Sequence, residues 1–489
     1  MNSQNEILEL KKMLFEALQQ IFVMEKEIEQ LKEENLKISK LEAENKALMA
    51  ENDELKARLN QNSSNSSKPS SSDGYKKIEK QYKRESPKLR GGQVGHKGGT
   101  LLQIANPDNT IKHLPSVCSC GHQFSEADKT SIQSKRQVFE IPEPKLIVTE
   151  HQSYGCKCPK CGKITKGAFP DKVNAPVQYG DRVKSFVIFM DNELKVSKKN
   201  IGQFFLNLFG YAINESAITT MLSDFSKKLL PTEEKIKEKI NSSEVGHADE
   251  TGIRVDKKLN WLHVLSTSLY TYLFVHEKRG KAAMLSDKSI IPDFKNWLVH
   301  DCLPTYFGFG NVTHSLCNAH IVRELQSVID NDKEGLKKWA KKLQEFLLSL
   351  NEMEFSERIK KRLAISEEYY RICKEGFVIE PPPKKEKGKK GRPKSTKSRN
   401  LLCRLAKYKK AVLAFAFNEN VPFTNNQAER DLRPAKVKLK VSNCFRSSDG
   451  AKHYARIQGF ISTAKKNHKN IMTEIYNTFN GYNFITEMA

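Results

Sequence analysis

Glu244-Val-Gly-His-Ala-Asp-Glu-Thr-Gly-Ile-Arg-Val255 begins an alternation of predicted strands and helices in this 489-residue chain. The stretch itself is typical of a short strand, and it carries Asp249. A carboxylate on a rigid strand is a good first metal ligand. Two partners are available, because Asp301 follows the strand-like run 297–299 and Glu429 lies on a predicted helix. Two strand-borne aspartates and a helix-borne glutamate could hold two divalent ions for in-line displacement at a phosphate.

The strand pattern around Asp249 predicts a mixed sheet. Three antiparallel strands are predicted at 245–255, 260–267 and 270–276, followed by a helix near 280–287 and a fourth strand that ends at Asp301. This order matches the opening of the ribonuclease H-like fold. Its first and fourth strands are neighbours, so we expect Asp249 and Asp301 to lie close together although they are far apart in sequence.

The composition favours a polyanionic partner. Lys and Arg number 82 against 58 Asp and Glu, which gives a formal charge of +24. Nucleic acid is the first expectation for such an excess, and an anionic membrane surface is the alternative. No apolar run approaches the roughly 20 residues that span a bilayer, and the N-terminus has a charged helical pattern in place of a signal peptide. We therefore expect a soluble, cytoplasmic protein of several domains without a membrane partner.

Residues 1–60 are predicted to form a coiled coil for oligomerisation. Apolar side chains recur there at alternating spacings of three and four. Asn45 and Asn52 fall on this seam after a register shift near Ile38, and a buried amide at such positions tends to fix register and oligomer number. We expect a homodimer or higher oligomer; an amphipathic helix folded back on its own chain is the alternative. The seam residues are Ile7, Leu10, Leu14, Ile21, Met24, Ile28, Leu31, Ile38, Leu41, Leu48, Leu55 and Leu59.

A flexible basic linker is predicted for residues 61–100. Residues 61–73 are rich in Ser, Asn and Pro and have almost nothing to bury. The basic stretch 76–97 leads into the glycine-rich segment 91–99. Glycines let the backbone approach a surface closely, and Lys97 could contact a DNA phosphate. A solvated basic loop is the other interpretation.

A small zinc-binding domain is predicted for residues 101–170. Five of the ten cysteines lie between positions 118 and 161. In a reducing compartment, such crowding indicates metal binding rather than disulfides, and four thiolates can close a tetrahedral structural Zn²⁺ site. Cys156 is an alternative ligand, His122 and His151 are nearby, and reduced, unliganded cysteines are the other interpretation. The favoured ligands are Cys118, Cys120, Cys158 and Cys161.

Helical patterns dominate the rest of the chain. Residues 171–243 are predicted to form a helical DNA-binding domain, in which a turn at Gly210 would suit a helix-turn-helix motif; aromatic core packing is the alternative. Glu324 lies on a predicted helix behind Asp301 and is an alternative third acid. The remaining boundaries are 244–440 for the ribonuclease H-like catalytic domain, about 320–415 for its helical insertion, and 441–489 for a C-terminal helical segment. The predicted fold class is therefore a multidomain α+β protein.

Ordered motifs along nearly the whole chain resemble DDE transposases of the insertion-sequence 66 family. The set is specific because many motifs occur in the same order. One departure is Cys118-Ser119-Cys120, which is one residue shorter than the family's usual C-x-x-C. The matching motifs are residues 65–69, 91–93 with 95–98, the cysteine pairs, 247–251, Asp301 with Tyr306, 314–323, 425–430 with 432–434, and 445–447 with 450–451.

The resemblance implies a transposase that cleaves the ends of an insertion sequence and joins the freed 3′-hydroxyls to target DNA. It implies that Asp249, Asp301 and Glu429 are the catalytic triad and bind two Mg²⁺ (or Mn²⁺) ions. The expected partners are double-stranded DNA, further copies of the chain and accessory proteins of the same element, in a bacterial cytoplasm and on the nucleoid when DNA is bound. The cations expected to contact phosphates near Glu429 are Arg430, Arg433, Lys436, Lys438 and Lys440.

Two other functions stay open from the residues alone. One is a catalytically inactive, zinc-binding coiled-coil protein that binds DNA, against which the intact carboxylates at positions 249, 301 and 429 argue. The other is a structure-specific nuclease that cuts DNA without joining it. Separate substitutions of Glu324 and Glu429 would distinguish the two candidate third acids.

Overall fold

A computed structural model describes residues 2–62, 65–66, 99, 101–126, 130–332, 335–383, 393 and 395–487. These residues divide into two compact units: one draws on 1–79 and 315–424, and the other on 80–314 and 425–489. Lys97 and the basic stretch 76–97 lie outside the described residues, so their role in DNA binding stays a prediction.

Helices outnumber strands in the described ranges, and the strands form a two-stranded hairpin and one larger sheet. A π-helix covers Phe189–Glu193 and a 3₁₀ turn covers Tyr306–Gly308. The elements are α1 (Asn2–Leu59), β1 (Gly155–Lys157), β2 (Ile164–Lys166), α2 (Asp181–Ile188), α3 (Lys198–Phe209), α4 (Glu215–Lys228), α5 (Leu230–Asn241), β3 (Val245–Val255), β4 (Lys258–Ser266), β5 (Thr271–His276), α6 (Lys281–Met284), β6 (Trp297–His300), β7 (Thr313–Leu316), α7 (Asn318–Asp330), α8 (Lys338–Glu352), α9 (Phe355–Lys360), α10 (Arg362–Ile379), α11 (Lys397–Lys407), α12 (Lys409–Val412), α13 (Ala414–Phe417), α14 (Asn426–Ser442), α15 (Ser448–Lys466), α16 (Ile471–Phe479) and α17 (Phe484–Glu487).

The first unit contains the long helix α1 and the helices α7 to α13. Helix α1 is 58 residues long, and the large apolar side chains described along it are exposed in the single chain. Helix α8 packs on both α7 and α10, with Trp339 and Leu343 buried. These short helices occupy the range predicted for a helical insertion. In the described ranges, every helix is too short or too polar to cross a membrane.

The helices α2 to α5 of the second unit are built around apolar and aromatic side chains. Phe205 and Phe225 are almost completely buried and belong to one core with Ile218. Gly210 ends α3 in the left-handed conformation, with φ of 74°, a geometry that glycine adopts without steric cost. These aromatic side chains therefore form a packed core, and a role of the helices in DNA binding stays a prediction.

The larger sheet has the strand order β5-β4-β3-β6-β7. Strands β3, β4 and β5 pair antiparallel, whereas β3 and β6 pair parallel. The parallel register sets Val245 opposite Trp297 and His247 opposite Val299. The first and fourth strands are therefore neighbours, as predicted. Continued by two residues, the same register sets Asp249 opposite Asp301.

Helices cover both faces of this sheet. Val264 and Leu273 pack against Leu432 of α14, whereas the neighbouring residues Leu265 and Tyr272 belong to the core that contains α2 to α5. This division follows from the strand geometry, because successive side chains point to opposite faces. Helix α15 lies directly on β5, and a Cβ on Gly459 would be only 3.0 Å from the Thr271 carbonyl oxygen. The C-terminal helices therefore share a core with the sheet.

Burial of His263 on β4 makes the stability of this unit pH-dependent. The ring stacks on Phe274 at 4.8 Å, Nε2 donates to the Lys278 carbonyl oxygen, and burial lowers the pKa of His263 to about 4. The unfolded chain binds a proton at this histidine below about pH 6.5, whereas the folded protein does so only near pH 4. The free energy of unfolding should therefore decrease as the pH falls through this window.

We expect the His263→Gln substitution to reduce the slope of unfolding free energy against pH between about pH 6.5 and 4 by up to about 1.4 kcal/mol per pH unit, because the substituted side chain does not titrate. Urea unfolding at a series of pH values measures the slope. An equal slope in the wild type and the variant would contradict the prediction.

Candidate active site

An acidic cluster lies where β3 and β6 run side by side. Asp249 and Glu250 belong to β3, and Asp301 immediately follows β6. One carboxylate oxygen from each of the three residues lies within 4.8 Å of the others. Glu429 stands in the first turn of α14, and its charge is among those that raise the pKa of Asp249. The structure therefore brings the predicted acids Asp249 and Asp301 together and adds Glu250, while Glu429 acts on Asp249 through its charge.

Burial and crowding both act on Asp249. Burial is the main cause that raises its pKa well above the ordinary value, followed by the charge of Glu250, with Asp301 and Glu429 adding to the effect. The Glu250 backbone N–H opposes them by donating to Asp249 Oδ1 at 2.8 Å. Like charges at this separation disfavour joint ionisation unless a cation compensates them. The cluster is therefore suited to bind positive charge.

The negative charge of Glu250 is balanced by a positive charge within the protein. Its side chain is completely buried, and Arg279 Nε donates to Oε1 at 2.8 Å. The Tyr306 hydroxyl donates to Oε2, also at 2.8 Å. Burial nevertheless raises the pKa of Glu250, and the nearby Asp301 charge raises it further. With both oxygens engaged, Glu250 is better placed to support the cluster than to be its principal metal ligand.

Asn425 joins the helix that carries Glu429 to the strand that carries Asp249. Its side chain is buried, its Nδ2 donates to the Ala248 carbonyl oxygen at 2.8 Å, and its Oδ1 accepts from His247 Nδ1 at 2.9 Å. Burial lowers the pKa of His247, which favours the neutral ring. His247 and Ala248 are the two residues before Asp249, so Asn425 sets the start of α14 against that part of β3.

The turn after β6 holds Asp301 in place. The Leu303 backbone N–H donates to Asp301 Oδ1 at 3.0 Å. The ring of His300 contacts the Asp301 carbonyl oxygen through Nδ1 and lies 3.0 Å from His314 Nδ1 through Nε2. His300 also stacks on Tyr306. These contacts fix the direction in which the Asp301 carboxylate leaves the strand.

The five cations predicted near Glu429 are not equivalent. Arg430, Arg433 and Lys440 are exposed, and Lys436 is exposed while donating to the Gly252 carbonyl oxygen at 3.0 Å. Lys438 is buried and forms an ion pair with Asp191 at 2.8 Å. The expectation that Lys438 contacts DNA therefore does not fit the structure, because its ammonium group already has a buried partner.

Glu324, the alternative third acid, belongs to the first compact unit. It lies on α7, where its carboxylate is paired with Arg404 of α11. Glu429, in contrast, is among the charges that raise the pKa of Asp249. This effect favours Glu429 over Glu324 as the third acid.

The favoured zinc ligands lie in two similar turns. The Cys118 carbonyl accepts from the Gly121 N–H at 2.9 Å, and the Cys158 carbonyl accepts from the Gly162 N–H at 2.8 Å. The second turn links the paired strands β1 and β2. The Cys120 backbone N–H is the main cause that lowers the pKa of Cys118, and the Cys161 backbone N–H has the same effect on Cys158. Backbone donors of this kind stabilise the thiolates that zinc requires.

Cys156 stands apart from these turns, since it lies on β1 opposite Thr165. Within the described residues, the four favoured thiols do not form a group whose sulfur atoms all lie within 4.8 Å of one another. The local geometry of each turn thus fits a zinc ligand pair. In this conformation, the two cysteine pairs do not come together to form one zinc site.

Sequence reasoning assigned no role to Glu250 and Arg279. Glu250 follows directly after Asp249, and an acid beside a metal-binding acid on a strand normally points to the other face of the sheet. Arg279 lies three residues beyond β5, in a segment without a distinctive pattern. A signal was available for Glu250 and for Tyr306, which both belong to motifs that carry the family resemblance, but not for Arg279.

Three family models match parts of the chain. A family model described as "Transposase IS66 family" matches residues 177–453, and one described as "zinc-finger binding domain of transposase IS66" matches residues 115–162. A family of unknown function matches residues 17–101. No protein of curated function matches the chain.

The matched domains define an insertion-sequence transposase with a zinc-finger domain. The chain belongs to the IS66 transposase family, since that family model covers more than half of it. Membership implies that the protein binds DNA, and the zinc-finger domain supports a structural zinc ion.

Removal of the Lys438 side chain should lower stability, whereas removal of the Arg433 side chain should weaken DNA binding. We expect Lys438→Ala to lower the free energy of unfolding by about 3–5 kcal/mol, because it leaves Asp191 buried without its partner. Arg433→Ala should change that free energy by less than about 0.5 kcal/mol and weaken DNA binding. Urea unfolding and fluorescence anisotropy with labelled duplex DNA measure the two effects. Weaker DNA binding by folded Lys438→Ala, with Arg433→Ala unaffected, would contradict this assignment.

Proposed function

We propose that this transposase cleaves the ends of its insertion sequence and joins the 3′-hydroxyl ends to target DNA. The observation that carries the proposal is the meeting of Asp249 and Asp301 in one cluster with Glu250. Glu429 acts on the same cluster from a separate helix. Acids drawn from distant parts of a chain into one place, at a stability cost, indicate a functional site. The strand order supports a ribonuclease H-like domain as its scaffold.

The chemistry of the donor set fits Mg²⁺ or Mn²⁺. Asp249, Asp301 and Glu429 would hold two such ions, because carboxylate oxygens are the ligands that these hard cations prefer. When bound, divalent ions supply the charge that stabilises the entering and leaving oxygens of a phosphodiester displacement. No covalent protein intermediate is then needed, and the carboxylates contribute charge and geometry.

The remaining side chains of the site position these acids. Asn425 and His247 hold the start of α14 against β3, while Leu303 orients Asp301 through its backbone N–H. On α14, Arg433 and Lys440 are exposed, and both would bind DNA phosphates near Glu429. Asn425, His247 and Leu303 keep the acids in one geometry as the DNA enters.

A transposase must bring two element ends together, and a paired α1 would provide two copies of the catalytic unit. The seam positions that are described along α1 are exposed in the single chain, with Ile21 at 46% and Leu14 at 62%. Apolar seams of this spacing are normally buried between helices. We therefore include a homodimer or higher oligomer formed through α1 in the proposal. The proposed zinc ligands are Cys118, Cys120, Cys158 and Cys161.

A cleavage and strand-transfer assay with labelled element-end DNA and Mg²⁺ tests the proposal. We expect cleaved and joined products from the wild type and from Glu324→Gln, and a loss of at least about 100-fold with Asp249→Asn or Glu429→Gln, because each removes a metal-binding charge. Loss with Glu324→Gln alone would overturn the choice of third acid. Cleavage without joining would favour a structure-specific nuclease, and binding without chemistry an inactive DNA-binding protein.

Sedimentation equilibrium tests the proposed role of α1. We expect the double substitution Ile21→Lys and Ile28→Lys to lower the measured mass from that of an oligomer to that of one chain, because two charges would enter the apolar seam. The matched control is Gln19→Lys with Gln30→Lys, which adds the same charge away from the seam and should preserve the oligomer. A monomeric wild type, or equal dissociation of the control, would contradict the assignment.

A further inference from the structure

Arg279 places a partly exposed positive charge at the edge of the acidic cluster. Its Nε donates to the fully buried Glu250, and its side chain is 45% exposed. One terminal nitrogen, Nη2, lies 3.9 Å from Asp301 Oδ2. The guanidinium group also lies over the Trp261 ring, 5.0 Å from its centre. Three neighbours therefore hold this group in one orientation beside Asp301.

The anchoring of Arg279 uses only part of its hydrogen-bonding capacity. A guanidinium group has five N–H donors arranged in a planar fork. The bond to Glu250 comes from Nε, on the stem side of the fork. The 3.9 Å separation from Asp301 is too long for a hydrogen bond. The terminal nitrogens are therefore suited to bind an additional acceptor at little cost.

A DNA strand that approaches these acids meets electrostatic repulsion. Asp249, Asp301 and Glu429 carry the same sign of charge as a phosphate, so a nearby fixed cation would favour a productive approach. Arginine suits this task because its fork can bind two phosphate oxygens. Anchoring by Glu250 and Trp261 also lowers the conformational entropy lost on binding.

We propose that Arg279 contacts a phosphate of the DNA strand that lies against the carboxylates. This inference rests on the proposed function and adds a DNA-contacting residue to its site. Glu250 and Tyr306 then act as positioning residues, because the Tyr306 hydroxyl holds the second oxygen of the carboxylate that anchors Arg279. The role explains why a completely buried glutamate lies beside Asp249.

A purely structural role for Arg279 makes different predictions. If the guanidinium only neutralises Glu250, its removal lowers stability. The effect of the substitution on DNA affinity is then the same whichever phosphate is modified. A contact with DNA instead makes the effect of the substitution depend on one phosphate charge. Replacement of single phosphates by uncharged methylphosphonates separates these roles, since non-additivity reveals direct contact.

The experiment uses full-length wild type, Arg279→Gln and Arg279→Lys, with Arg254→Gln as the matched control. Arg254 is exposed on β3 and donates to the Lys257 carbonyl oxygen. The probes are labelled duplexes that carry the element end flanking the coding sequence, each with one methylphosphonate near the cleavage position. Affinity is measured without added divalent ions, the single-turnover cleavage rate is measured with Mg²⁺, and urea unfolding reports stability.

We expect Arg279→Gln to slow cleavage at saturating DNA by about 100-fold on the unmodified duplex, and Arg279→Lys to recover only part of this loss. At one methylphosphonate position, the affinities of wild type and Arg279→Gln should agree within about threefold, whereas they differ by about tenfold on the unmodified duplex. Arg254→Gln should retain the full sensitivity of the wild type to that methylphosphonate.

Additive losses at every phosphate position, or a loss explained entirely by unfolding, would overturn the Arg279 proposal. Affinity reports on the contact even when no chemistry occurs. A non-additive position in the comparison of wild type with Arg279→Gln, together with no cleavage by the wild type, would therefore contradict the proposed function and leave the contact in place. Wild-type cleavage without such a position would contradict only the contact.

Discussion

The repulsion among Asp249, Glu250 and Asp301 is the constraint on which the structure around the acidic cluster depends. Carboxylate oxygens that lie within 4.8 Å of one another would separate on a flexible loop. Here the parallel pairing of β3 with β6 holds the two backbones side by side just before Asp249 and Asp301. Arg279 and Tyr306 compensate Glu250, which leaves the charges of the two aspartates to be balanced by a cation.

Helix α14 is attached to this framework by polar contacts at both ends. Asn425 bonds to β3 at its start, and Lys438 pairs with Asp191 near its end. Between them, Asp431 accepts from Lys466 at 2.8 Å and from Ser462 at 3.0 Å. Buried charges are expensive to separate from their partners, so these bonds define one position of the helix. A helix held in this way can present Glu429 to the cluster with little freedom.

The sequence predicted the strands of the larger sheet well because their signals are local and periodic. The strand pattern gave β3 to β6, and the chain order of those strands indicated which of them are neighbours. The seam of α1 identified a long helix, whose described apolar side chains are exposed in the single chain. Prediction was less successful for Lys438, which was grouped with its basic neighbours. Lys438 is nine residues from Glu429, which at about 100° per residue puts it on the opposite side of the helix.

By itself, the sequence determined which chemical groups are available: the acids Asp249, Asp301 and Glu429, the paired cysteines, and the motifs of an IS66 transposase. Residue type and spacing encode these features directly. Only the tertiary structure decided that Glu250 is anchored by Arg279 and that Lys438 is buried. The physical reason is that burial and ion pairing depend on contacts between segments that are far apart in the chain, which local periodicity does not contain.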